Sequence, residues 1–147
     1  MLVGKNCRRE VVTIGKAQSV VEAARQMRQH HVGDLVVVDD GGAPVGLLTD
    51  RDLVVGVLAK EADRIAQLLV GDVLTEEVLL ARESDDVSDV LRHMQYKRVR
   101  RVPVVDARGV LVGILTLDDI LGVVSGDLAS VALLVKSQGL HEHERRP

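Results

Sequence analysis

The chain carries one pattern twice, 67 residues apart, and this duplication limits its fold more than any other feature. Gly46 and Gly113 stand at that offset, as do Thr49 and Thr116, and Asp52 and Asp119. With no gap it also sets Val11 on Val78, Val20 on Val87, Arg25 on Arg92, Met27 on Met94, and Val37-Val38-Asp39 on Val104-Val105-Asp106. Valines in a valine-rich chain match by chance; Gly-x-x-Thr-x-x-Asp twice in register does not readily do so. A period this long, present only twice, is not a solenoid. It implies a duplicated supersecondary unit whose copies pack on each other, and 147 residues are enough for such a pair to fold without staples.

Each copy reads as β-α-β-β-α. In the first, a short β segment over Val11–Ile14 precedes a helix opened by Ser19 and Glu22 as a capping box, with Val20, Ala23, Ala24 and Met27 on one side. In the second, Val78–Ala81 is the β segment and Asp86 takes the cap position before Val87, Val90, Leu91 and Met94. The unbroken apolar runs Leu35–Val38 and Val102–Val105 suit strands covered on both faces. Asp39-Asp40-Gly41-Gly42 and Asp106-Ala107-Arg108-Gly109 supply hairpin turns. Return strands over Val45–Leu48 and Leu111–Leu115 end at Thr49 and Thr116, where the next helices begin. The expected class is α/β (α+β): one repeat over 1–62, a second over 63–126, and a C-terminal part over 127–147 with an amphipathic helix to 136 and then a polar tail.

Strand, Thr-x-x-Asp, helix is the element with chemical content. A threonine hydroxyl and the first N–H groups of a helix make an anion-friendly edge. A carboxylate one turn later returns to that edge and can accept from two neighbouring hydroxyls, as a ribose diol presents them. The same residues also read as plain helix caps, worth about 0.5–2 kcal/mol each.

Composition removes several function classes. Net charge is −3 and Tyr96 is the single aromatic residue, which argues against a general nucleic-acid binder and against a base-stacking platform. The run Lys97-Arg98-Val99-Arg100-Arg101 reads as a solvated approach to a strand, with one or two arginines available to phosphate. The lone Cys7 can build neither a disulfide framework nor a Cys-rich zinc site, and His141-Glu142-His143-Glu144 reads as tail rather than metal ligands. His30-His31 reads as a helix end, where positive charge suits the dipole. No apolar core of a signal peptide opens the chain and no run reaches the 18 apolar residues of a span. A cytoplasmic protein without membrane association is expected. No activated nucleophile, metal cluster or Walker-type loop is present, so an enzyme is not expected.

Gly46-Leu47-Leu48-Thr49-Asp50-Arg51-Asp52, Gly113-Ile114-Leu115-Thr116-Leu117-Asp118-Asp119 and Arg101-Val102-Pro103-Val104-Val105-Asp106 resemble a tandem pair of cystathionine-β-synthase (CBS) domains, a Bateman module. The resemblance covers about residues 3–57 and 70–124. It implies two β-α-β-β-α repeats related by a pseudo-two-fold axis, with two clefts between them that take adenosine-type ligands: AMP, ADP, ATP, S-adenosylmethionine or NAD. It also implies that the aspartate holds ribose and the threonine lies near phosphate. No cofactor is required. A homodimer is implied through the apolar segments around Leu53–Leu58 and Ile120–Val124, with a protein target that the sequence does not name.

Carried over residue by residue, one cleft combines Thr49, Arg51, Asp52, Thr75, Leu80, Val99, Arg100, Arg101, Val102 and Pro103. The other combines Arg8, Thr13, Val32, Gly33, Asp34, Leu35, Thr116, Asp118 and Asp119. At matched positions Arg51 becomes Asp118 and Arg101 becomes Asp34, so the first cleft is basic and the second acidic. Phosphorylated ligands are expected in the basic cleft, with Arg8 returning one cation to the acidic one. A regulatory nucleotide-binding module is the leading expectation; a dimerisation module with vestigial clefts is the alternative.

Overall fold

The computed structural model describes the backbone of residues 1–74 and 77–145 and the side chains of those up to residue 137. Its elements are α1 (Val3–Asn6), β1 (Thr13–Gly15), α2 (Val20–His30), β2 (Asp34–Val38), β3 (Pro44–Thr49), a wide π-type helix (Asp52–Leu58), α3 (Ala59–Glu61), a 3-10 turn (Ala62–Gln67), α4 (Val70–Val73), β4 (Ala81–Arg82), α5 (Val87–Lys97), β5 (Arg101–Val105), β6 (Leu111–Thr116) and α6 (Leu117–Arg145). There are two three-stranded sheets, β1-β2-β3 and β4-β5-β6. In each, the first pair is parallel and the second antiparallel, and the registers Asp34↔Thr49 and Arg101↔Thr116 correspond.

Local chemistry accounts for these elements. The Ser19 hydroxyl accepts from the Glu22 N–H and the Asp86 carboxylate from the Ser88 N–H, so both long helices start at side-chain caps. Both end at a left-handed residue, His31 with φ 54° and Arg98 with φ 57°. Each hairpin turns on a glycine at positive φ, Gly42 or Gly109, while Asp39 and Asp106 collect the turn's N–H groups. Ile14, Ala23, Met27, Leu35, Val37 and Leu48 form one core, and Ala81, Val87, Val90, Met94, Val102, Val104 and Leu115 the other.

The repeats exchange short arms. Val3 and Gly4 donate backbone hydrogen bonds to Asp85 and Glu83 carbonyls, and Arg8 pairs its backbone with Ile114 in both directions at 2.9 Å. Val3 is thereby buried in the second core. Reciprocally, Val70 and Gly71 donate to Gln18 and Lys16, and Val70 is buried in the first core.

Three expectations need correction. The first strand of the second repeat is Ala81–Arg82, not Val78–Ala81, and that of the first is Thr13–Gly15. The C-terminal helix is not a separate element beginning at 127: α6 runs unbroken from Leu117 to Arg145, through the span read as tail. Its segment Leu117–Ser137 is also long and apolar enough to cross a membrane by length and composition, with mean hydropathy 1.6.

Candidate functional site

The Thr-x-x-Asp motif forms the same reciprocal cap in both repeats. At the end of β3, the Thr49 N–H donates to Asp52 Oδ2 (2.9 Å) and the Asp52 N–H to the Thr49 hydroxyl oxygen (3.1 Å). At the end of β6, the Thr116 N–H and hydroxyl donate to Asp119 Oδ2 (3.3 and 2.8 Å), and the Asp119 N–H to the Thr116 oxygen (3.1 Å). The capping and ligand readings are thus compatible, because the cap occupies one carboxylate oxygen and orients the other.

The second oxygen distinguishes the repeats. Asp52 Oδ1 accepts no hydrogen bond among the described residues. Asp119 Oδ1 accepts from Arg8 Nε at 2.7 Å. The arm that carries Arg8 is fixed by its backbone pairing with Ile114, which delivers the guanidinium to the carboxylate.

Beside Asp52 lies a cleft of about 440 Å³ between the repeats. Thr49, Asp50, Arg51 and Asp52 form one wall and Arg98, Val99, Arg100 and Arg101 the other; Leu47, Glu77, Val78 and Leu79 complete it. The left-handed Arg98 ends α5 and turns the chain so that Val99–Arg101 enters this wall. Arg51 and Arg100 make no ion pair among the described residues.

Arg101 is different. Its guanidinium donates to Asp34 Oδ1 at 3.0 Å, although these two residues were assigned to opposite clefts. They are matched positions of the repeat, so they meet near the pseudo-two-fold axis and neutralise each other. This removes one of the two charge reversals on which the expected asymmetry rested. Burial pushes the Asp34 carboxyl above its usual range; the Arg101 charge opposes the shift and nearby Asp50 adds to it. Arg101 Nε is buried with no hydrogen-bond partner among the described residues. Such a donor costs free energy until an acceptor reaches it.

Other assigned residues fall differently. Leu80 does not line the cleft; Glu77, Val78 and Leu79 stand there because β4 begins only at Ala81. Val102, Pro103 and Leu35 are fully buried and face packing rather than a cleft. Thr75 lies outside the described residues. Thr13 is exposed on β1, Val32, Gly33 and Asp34 are partly buried, and Asp118 lies in the first turn of α6 next to Asp119. Arg98, expected beside the basic cleft, lines it, whereas Leu47, Asp50, Glu77, Val78 and Leu79 line it without having been assigned.

The CBS domain family matches residues 5–58 and 70–126. The chain belongs to this family. An uncharacterized protein of Methanopyrus kandleri is 36% identical over 121 residues, 82% of this chain but only 61% of the relative's length. Among solved structures, the CBS domain pair of protein MJ0100, in complex with 5'-methylthioadenosine and S-adenosylmethionine, superposes with TM-score 0.71 at 29% identity, covering 86% of this chain and 98% of that one. The cytosolic domain of the Mg2+ channel MgtE, in complex with ATP, gives TM-score 0.71 at 30% identity over 83% of this chain and 48% of that one. The mixed α+β architecture with two small sheets is that of a tandem CBS pair.

Proposed function

We propose that this CBS pair is a regulatory module that binds an adenosine-containing ligand, an adenine nucleotide first of all, in the Asp52 cleft and performs no catalysis itself. The observation that carries the reading is Oδ1 of Asp52, unbonded among the described residues and oriented by its own helix cap beside a cleft walled by Arg51, Arg98, Arg100 and Arg101. Asp52 suits the ribose diol, while Thr49, Arg51 and Arg100 suit phosphate. The orphan donor on Arg101 favours a ligand bearing an acceptor. Relatives that bind methylthioadenosine, S-adenosylmethionine and ATP support the ligand class. At the Asp119 edge the carboxylate oxygen is taken by the protein's own Arg8, so a second site there ranks below the first. Two-fold pairing through the exposed Val54, Val55, Leu58, Leu121 and Val124 belongs to the same reading.

A thermal-shift panel over AMP, ADP, ATP, NAD and S-adenosylmethionine tests it, since a ligand that binds only the folded state raises Tm. A rise for at least one of them, reduced in Asp52→Asn, is expected. No rise for any at millimolar concentration would sink the ligand reading and leave a dimerisation module with vestigial clefts.

A further inference from the structure

The Arg101–Asp34 ion pair joins the two sheets directly, from β5 to β2, at 3.0 Å. The cross-repeat pairs of Arg8 and Arg9 run instead through the first arm. The Arg101 and Asp34 side chains are sheltered, 31% and 21% exposed. Their pairing is incomplete on both sides. Arg101 gives one nitrogen to Asp34, lines the Asp52 cleft and keeps its buried Nε without an acceptor among the described residues. Asp34 accepts from no other donor among the described residues. Asp50, which also lines the cleft, stands beside Asp34. Its N–H donates to the Gly33 carbonyl at 2.9 Å, and its Oδ2 lies 3.1 Å from where a Cβ on Gly33 would be. Arg8 on the first arm acts on Asp34 through space and opposes Asp50, and Thr49, the register partner on β3, is neutral.

We propose that this pair is a tie that an anionic ligand releases: the ligand in the Asp52 cleft takes Arg101 as its counter-ion, and Asp34 takes up one proton from solvent in exchange. The proposal rests on the ligand reading above and adds a proton to it. Two features favour exchange over sharing. A phosphate presents two oxygens to the flat fork of a guanidinium, and a fork that engages Nε satisfies the donor that Asp34 leaves orphaned. Asp34 without Arg101 would hold its charge largely out of water beside Asp50 and a new anion, and both conditions favour the protonated form. Asp50 is not the group that takes the proton, because it is exposed and its Oδ1 accepts from the Arg51 N–H. Occupancy of one cleft thereby removes a charged contact between β2 and β5, a change in how the repeats hold each other. The sign follows: ligand binds more tightly at lower pH, by no more than about tenfold per pH unit, because a single proton is exchanged.

The test is the pH dependence of ATP and AMP binding to the full chain and to Asp34→Asn, by titration calorimetry. The amide neither holds Arg101 as a charged partner nor takes the proton. At about pH 8 the variant is expected to bind about 5-fold more tightly or better, since its Arg101 is already released. The two affinities should converge as the pH is lowered to about 5, where the parent Asp34 is discharged on binding. The nucleotide phosphates titrate alike with both proteins, so the affinity ratio isolates Asp34. Titrations in two buffers of different ionisation enthalpy count protons directly, and the parent should take up more than the variant. Asp34→Ser replaces the amide variant if that one shows no cooperative thermal transition. A variant that binds no more tightly at about pH 8, a ratio constant over the range, or equal proton counts would overturn the proposal and leave the ligand reading standing. Binding of neither nucleotide at any pH would remove the nucleotide reading and the proposal with it.

Discussion

Replacing Arg8 by alanine should open the second cleft to uncharged adenosine-type ligands. The guanidinium donates to Asp119 Oδ1 at 2.7 Å, with the arginine 64% and the aspartate 14% exposed. The mostly solvated arginine places the pair among surface ion pairs, worth about 0–1 kcal/mol, and the sheltered carboxylate puts it in the upper part of that range. A ribose diol reaching Asp119 must first displace Arg8, so the pair lowers affinity by up to about 5-fold. The arm stays in place without the side chain, because the hydrogen bonds between Arg8 and Ile114 are made by backbone atoms. The Asp119 cap on Thr116 is likewise untouched. Adenosine titrated calorimetrically into Arg8→Ala, in an Asp52→Asn background that weakens the first cleft, is expected to show a second-site affinity several-fold tighter than in the Asp52→Asn parent. ATP should gain less, because the same substitution removes a cation from its phosphates. Equal adenosine affinity in the two proteins would refute the idea that Arg8 guards the second site.

Asp52→Asn should retain most of the helix cap while losing the charged acceptor, lowering nucleotide affinity roughly tenfold or more, whereas Asp52→Ala should in addition lose about 0.5–2 kcal/mol of stability in denaturant titration. The matched glycines should respond unequally. A Cβ on Gly113 would lie 2.7 Å from the Arg8 carbonyl oxygen and 2.8 Å from Cys7 Sγ, so Gly113→Ala should cost about 1–3 kcal/mol. On Gly46 the Cβ meets the movable end of Leu74 at 2.8 Å, and Gly46→Ala should cost less; a reversed order would show that the arms are not held as described. Because the folded-state Asp34 carboxyl titrates above the usual carboxylate range, the folded protein holds more protons than the unfolded one between the two values. Stability should therefore fall as pH rises through that window, and Asp34→Asn should flatten this part of the stability–pH curve.

The sequence exposed features that depend on neighbours along the chain. The caps at Ser19 and Asp86, the turns at Gly42 and Gly109 and the Thr-x-x-Asp edges all follow from a few consecutive residues. Contacts between the repeats were hidden in it. Arg101 and Asp34 look like members of different clefts until the pseudo-two-fold axis brings matched positions face to face. The length of α6 was hidden too, because Gly122 and Gly126 resemble stops. Each glycine costs a helix only about 1 kcal/mol relative to alanine, so apolar flanks can carry the helix through both.

The two motif edges correspond in strand and cap, and the arms are where they part. Each arm crosses to the other repeat and passes over the glycine of its Gly-x-x-Thr-x-x-Asp motif: Cys7 and Arg8 over Gly113, Leu74 over Gly46. The caps leave Asp52 and Asp119 each with one oxygen turned away from the helix start. What meets that oxygen differs between the repeats. In the first arm Arg8, whose carbonyl lies over Gly113, supplies Asp119 with a counter-ion from the protein itself. Among the described residues no cation reaches Asp52 Oδ1, and Arg51 and Arg100 on the walls of its cleft make no ion pair. Between otherwise corresponding strands and caps, the cation that the first arm brings to Asp119 is what distinguishes the two carboxylates among the described residues.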